Sequence, residues 1–195
     1  MLSGNLKRAV LWVLFTLPLL GATAAAVPDP SAGAGYQVVR RSYSLPDLVL
    51  VDAEAKPVRL RELLDGEQPV IMNFVYASCT TICPILSATF AKAYRLFKDA
   101  GEPVQFVSVS IDPEQDTPEQ LKKYAEKFKA GPGWHFLTGD VASVQLLQQT
   151  FDTFRGSKAN HPSVVLIHAR RDGPWSRLEG AIPAAAVLKE FQLLK

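Results

Sequence analysis

The sequence predicts an α/β domain in which a central mixed sheet is flanked by helices and preceded by an amino-terminal β-hairpin. Three runs have the length and apolar content of buried strands: Val70–Tyr76 (VIMNFVY), Val104–Ile111 (VQFVSVSI) and Ser163–Ala169 (SVVLIHA). Segments with helical spacing or helix-start signals lie between and after them. The resulting order is strand, helix, strand, helix, a strand hairpin and a closing helix.

Each element has its own signal. Leu48–Val51 and Val58–Leu60 are short apolar runs around the polar Asp52–Pro57, which makes a hairpin. In Ile82–Lys98, residues Leu86, Phe90, Ala93 and Phe97 fall on one helical face, and Gly101 sits where a helix stop belongs. Thr117-Pro-Glu-Gln120 opens a helix reaching about Lys129, with Thr as the cap and Pro in the first turn. Trp134–Leu137 reads as a short strand and Val141–Thr150 as a helix. Ser176–Leu178 pairs with the third long strand across the turn at Asp172-Gly-Pro174, and Ala184–Leu194 is the last helix. A cysteine motif in the turn after the first long strand, opening a helix, makes this pattern thioredoxin-like.

Charge and cysteine content narrow the function. Lysine and arginine number 21 against 19 acidic residues, a net charge of +2. Lys7 and Arg8 are the only charged residues in the first 26, so the remainder is balanced and carries no basic surface for nucleic acid. A domain of this size buries a core without covalent staples, so its two cysteines are not a disulfide scaffold.

The amino terminus carries an export pattern. Lys7-Arg8 is followed by the apolar run Ala9–Leu20 and by small residues, Ala22-Thr-Ala24 and Ala24-Ala-Ala26, that fit a cleavage site. Residues 1–26 are read as a signal peptide or an uncleaved anchor, with 9–27 as the membrane tether in the second case. Residues 27–42 are a linker, beginning with the Pro/Gly/Ala stretch Val27–Gly35, and 43–195 form the domain. Both versions put the domain in the periplasm or on the extracytoplasmic face of the membrane.

Cys79 and Cys83, in Ser78-Cys-Thr-Thr-Ile-Cys-Pro84, are the candidate working pair. Four apart on a helix, they share one face with Cα atoms roughly 6 Å apart, at about 1.5 Å rise per residue. That spacing admits a disulfide and also admits convergence on one metal ion. A helix amino end stabilises the thiolate, which is both nucleophile and metal ligand. The polar flank Ser78, Thr80 and Thr81 argues against buried packing cysteines. His161, in Lys158-Ala-Asn-His-Pro162, precedes the third strand on the loop that faces the cysteine turn in such a fold. With it the donor set becomes two sulfurs and one nitrogen, which suits Cu(I) and admits Cu(II). Structural zinc would need four ligands, and His135 and His168 lie on strands where structural roles are expected. Asp112-Pro-Glu-Gln-Asp-Thr-Pro118 is read mainly as turn and capping chemistry.

The motif Asn73-Phe-Val-Tyr-Ala-Ser-Cys79-Thr-Thr-Ile-Cys83-Pro84, then Val109-Ser-Ile-Asp112-Pro-Glu-Gln-Asp-Thr-Pro118, then His161 resembles the Sco/SenC family over roughly Tyr43 to the carboxyl end. The resemblance implies a thioredoxin-like fold and copper, Cu(I) or Cu(II), held by Cys79, Cys83 and His161. It also implies that the protein delivers copper to the dinuclear copper centre of cytochrome c oxidase, or reduces the cysteines of that centre. The implied partners are the copper-site subunit of the oxidase and a thiol reductant of the envelope. Asn160-His-Pro162 stands where the family more often has Asp-His-Thr, and Pro162 restricts His161 to extended backbone. The rival expectation is a thiol:disulfide oxidoreductase cycling Cys79 and Cys83 as a redox pair.

Overall fold

The computed structural model describes residues 35–78 and 83–195, with Cys83 described by its backbone only. The expected signal peptide or tether and the first half of the expected linker lie outside the described residues. The elements in chain order are β1 (Tyr36–Arg41), β2 (Val49–Asp52), β3 (Pro57–Arg59), α1 (Leu60–Leu64), β4 (Val70–Val75) and α2 (Cys83–Asp99). After them come β5 (Gln105–Ser110), α3 (Pro118–Lys127), β6 (Trp134–Thr138), α4 (Val141–Thr150), a 3₁₀ turn (Lys158–Asn160), β7 (Val164–His168), β8 (Trp175–Gly180) and α5 (Ala184–Leu194).

One sheet has the order β1-β8-β7-β4-β5-β6-β2-β3. β4 pairs with β5, and β5 with β6, in parallel. β7 lies antiparallel to β4 and to β8, and the expected β2–β3 hairpin forms and joins the sheet through β6. β4 is therefore central, and all six of its residues are buried, as a continuous apolar run should be when both faces are covered. Its side chains alternate between two cores. Ile71 points to the face carrying Phe90 and Phe97 of α2, Leu121 of α3 and Phe191 of α5. Met72 and Phe74 point to the face carrying Leu60 and Leu64 of α1 and Leu147 of α4.

The helix boundaries follow local chemistry. Thr117 caps α3, its Oγ1 accepting from the Gln120 N–H at 3.4 Å. Asp140 caps α4, accepting from the Ser143 N–H at 2.8 Å. Past α2, Gly101 adopts φ 69°, so the Glu102 N–H can reach back to the Phe97 carbonyl at 3.0 Å. Only a residue without Cβ takes that left-handed position readily.

Two details differ from the sequence expectation. Residues 36–41, read as linker, form edge strand β1, which pairs antiparallel with β8 along its whole length. Its partner is at the far end of the chain, so no local pattern announces it; Arg40, bonded to Ser176 and the buried Glu190, ties it down. Leu60 does not extend β3 but opens the short α1, burying Leu60 and Leu64 one turn apart.

Phe106 is 1% exposed and sits among Phe90, Tyr94 and Phe97, with ring centroids 5.1, 5.4 and 5.4 Å away. Phe106→Ala is expected to cost about 3–5 kcal/mol of unfolding free energy, read from urea titration. A loss below about 1 kcal/mol would contradict this packing.

Candidate metal and redox site

The site is built where β4 ends. Beyond Val75 the chain turns through Tyr76, Ala77 and Ser78 toward the cysteines. Cys79 lies outside the described residues, as does the side chain of Cys83, so the two sulfurs have no described geometry. Cys83 is the first residue of α2, the helix-start position that favours thiolate.

The turn is held from the loop after β5. The Ile111 N–H donates to the Val75 carbonyl at 2.8 Å, carrying the β4–β5 alignment one step past the sheet. Asp116, 1% exposed, then accepts the Ala77 N–H on both carboxylate oxygens, at 3.2 and 3.0 Å, and the Ser110 hydroxyl at 2.6 Å. Ser110 Oγ in turn accepts the Asp112 N–H at 3.0 Å, and the Asp112 carbonyl accepts from Gln115 and Asp116. The expected turn chemistry of this acidic segment is present. Its consequence was not legible: the segment folds so that one buried carboxylate clamps the backbone two residues before Cys79. The recurrence of Asp, Ser and Thr after β5 signals a tight turn but not what the turn grips.

His161 arrives from the other side. The Asp152 and Thr153 N–H groups cap the end of α4, and Arg177 of β8 donates to the Phe151 and Asp152 carbonyls, fixing where the loop departs. Gly156 turns the chain at φ 75°, and the Ser157 side chain caps the 3₁₀ turn Lys158–Asn160. His161 follows at φ −58°, ψ 125°, the extended backbone that Pro162 requires. Because β7 is the antiparallel neighbour of β4, this loop enters the sheet at the end where β4 leaves it.

The ring's surroundings settle its tautomer. His161 Nε2 lies 3.1 Å from the Phe74 carbonyl oxygen. A carbonyl only accepts, so Nε2 carries the proton and Nδ1 carries the lone pair. Nδ1 is buried and has no hydrogen-bond partner among the described residues. Burial holds the imidazole pKa below its ordinary value, opposed by the Phe74 bond and reinforced by the Arg155 charge. The result is a neutral imidazole with an unshared lone pair, oriented by a backbone carbonyl. This is the electronic state of a metal-bound histidine and the usual way its second nitrogen is held, so the ring is suited to act as a metal ligand.

The other two histidines are satisfied elsewhere. His168 is buried, its Nδ1 lies 3.1 Å from the Leu64 carbonyl oxygen and its Nε2 3.2 Å from that of Gly173, and it stacks on Trp175 at 4.5 Å. His135 bonds Gln105 at 2.7 Å. Among the described residues, no three of His, Cys, Asp and Glu converge as a metal cluster. Asp116 departs from an ordinary carboxyl in that burial raises its pKa, against the lowering effects of the Ser110 and Ala77 bonds.

Two measurements follow. Asp116→Ala leaves the Ala77 N–H and Ser110 hydroxyl without their acceptor, at a cost on the order of 2 kcal/mol or more; amide exchange at Ala77 should accelerate relative to β4, and unchanged exchange would remove Asp116 as the clamp. For His161 the folded pKa is depressed, so its stabilising contribution is complete above 6.5 and is lost as pH falls through the folded value. The His161 C2 proton should therefore titrate by NMR below 6.5; a midpoint above it would contradict the buried neutral ring.

Comparison with known proteins places the chain in a family. Residues 41–171 match the family model described as SCO1/SenC. A SCO1 protein homolog from Bacillus subtilis is 34% identical over 99 residues, 50% of this chain and 50% of that one, so the match spans about half of that relative. A Stutzerimonas stutzeri protein, provisionally named for copper binding, is 32% identical over 151 residues, 74% of this chain and 69% of that one. Among solved structures, a SCO1/SenC family lipoprotein from Bacillus anthracis superposes with TM-score 0.69 at 22% identity, covering 80% of this chain and 96% of that one. Copper-bound ScoI from Arabidopsis thaliana gives TM-score 0.62 at 22% identity, covering 75% and 96%. The fold is thioredoxin-like, and the chain belongs to the SCO1/SenC family.

Proposed function

We propose that the protein takes up copper through Cys79, Cys83 and His161 and delivers it to the copper-site subunit of cytochrome c oxidase. Copper is here the cargo. The observation that carries this reading is His161 Nδ1: buried, unprotonated and unpartnered among the described residues, on the loop beside the exit of β4 toward the cysteines. Leaving such a lone pair unused costs free energy in a folded protein, so its retention points to a ligand. Two thiolates from a helix start would supply the soft donors that favour Cu(I), and one imidazole extends the site to Cu(II). Relatives solved with copper bound, from Arabidopsis thaliana and Bradyrhizobium japonicum, support copper as the metal. The relative BsSco is described as a member of the Sco family of cytochrome c oxidase assembly proteins, which supports the oxidase as the destination.

The work would be done outside the cytoplasm, on the periplasmic side, with residues 1–26 as the export signal or anchor. In that setting the pair can be stored as a disulfide and must be reduced, by a thiol reductant of the envelope, before it binds metal.

A second reading is supported by one specific observation, the disulfide switch for which that same relative is described. In this reading Cys79 and Cys83 exchange electrons with the cysteines of the oxidase centre, as a thiol:disulfide oxidoreductase. The two readings separate in one set of measurements. Copper titration of the reduced protein should give a thiolate–copper absorption that weakens in His161→Ala; equal affinity in that variant would exclude the three-ligand site. If the reduction potential lies where no partner thiol of the compartment can exchange with the pair, the electron-transfer reading fails.

A further inference from the structure

A chain of bonds connects the two loops of the site and ends on a residue that neither loop motif explains. It starts at the Ala77 N–H and passes through Asp116 and Ser110 to Asp112. From Asp112, which is 8% exposed at its side chain, the carboxylate pairs with the Nζ of Lys158. Lys158 opens the 3₁₀ turn that delivers His161, and its Nζ also lies 5.8 Å from the centre of the Tyr76 ring, in the cysteine turn itself. One ammonium thus touches both the loop after β5 and the turn leading to Cys79, three residues before the candidate nitrogen ligand.

The stretch it belongs to has a defined start and a defined end. Arg177 fixes the exit from α4, Arg155 folds back on the Asp152 and Phe154 carbonyls, and β7 fixes the far side. Between them Gly156 is in the left-handed region with no neighbour against its Cα hydrogen. Beside the ring lies a cavity of about 240 Å³, whose lining includes Asp112, Glu114, Gln148, Arg155, Lys158 and His161. The ring borders that cavity while its Nε2 lies 3.1 Å from the Phe74 carbonyl oxygen.

We infer that Lys158 is a positioning residue: its ion pair with Asp112 latches the 3₁₀ turn to the cysteine side of the site and holds His161 on Phe74, poised for metal. The half-exposed lysine makes the latch weak and reversible, as surface-accessible ion pairs are. When it opens, only a fraction of molecules presents Nδ1 to the site, and apparent affinity falls by that fraction. The latch concerns the same site as the copper reading and rests on it for its metal-binding consequence, but its structural content is independent of metal.

The test uses the full chain in two states. In the metal-free reduced protein, NMR of the His161 Nε2–H reports whether the proton is held by the Phe74 carbonyl. Lys158→Met should keep cooperative thermal unfolding, lose the protected Nε2–H signal, and bind Cu(I) roughly threefold more weakly in competition with a chromophoric chelator. Lys158→Arg should restore both. Asp112→Asn, which keeps the shape and removes the charge, should behave like Lys158→Met and serves if that variant fails to fold. An unchanged Nε2–H signal in Lys158→Met overturns the latch, whatever the copper result. If wild type takes up no copper, or His161→Ala binds as well as wild type, the copper reading falls; the ring signal alone then decides the latch.

Discussion

Burying the Asp116 carboxylate constrains everything around it. A carboxylate removed from water is tolerated when hydrogen-bond donors replace the lost hydration, and here the donors are the Ala77 N–H and the Ser110 hydroxyl. The last residues of β5, the loop that follows and the turn after β4 must therefore keep one arrangement together, since moving any of them strips a buried charge of its partners. The raised pKa of Asp116 measures the residual cost of that burial. Because folding favours the protonated form, this group's contribution is greatest below 3.8 and declines as pH rises through its folded value, opposite in sense to that of His161.

On this rigid base the two halves of the candidate site have different mechanical character. The cysteine turn is gripped through its backbone N–H by a side-chain carboxylate that is itself buried. The histidine loop is steered by a half-exposed lysine and one carbonyl. A metal carrier benefits from that asymmetry, because binding and release require at least one ligand that can leave without unfolding the rest. In the proposed carrier the neutral, oriented imidazole would supply affinity, and the modest strength of its restraint would limit that affinity.

Much of the fold was legible because its signals are local. The continuous apolar run of β4, the Thr117-Pro118 start of α3, the Asp140 cap and Gly101 each declare an element within a few residues. β1 escaped because its stability comes from β8, at the other end of the chain, and from Arg40 reaching Ser176 and Glu190. The site divides in the same way. Cys79, Cys83 and His161 stand out by type and spacing, whereas Asp116, Lys158 and Arg177 act across long separations: Lys158 and Asp112 are 46 positions apart. Nothing in a one-dimensional pattern marks which acidic residue of a turn will meet which lysine of a distant loop.

The antiparallel pairing of β4 with β7 also fixes when the site comes into being. His161 and Phe74 are 87 positions apart in sequence, and closing a loop of that length carries a large entropic cost before any contact offsets it. The imidazole's contact with its carbonyl therefore depends on the pairing of β7 with β4. The cysteines, four residues apart, need no such closure. A chain in which β7 has not paired with β4 lacks the oriented imidazole, so the proposed three-ligand set requires a completed sheet.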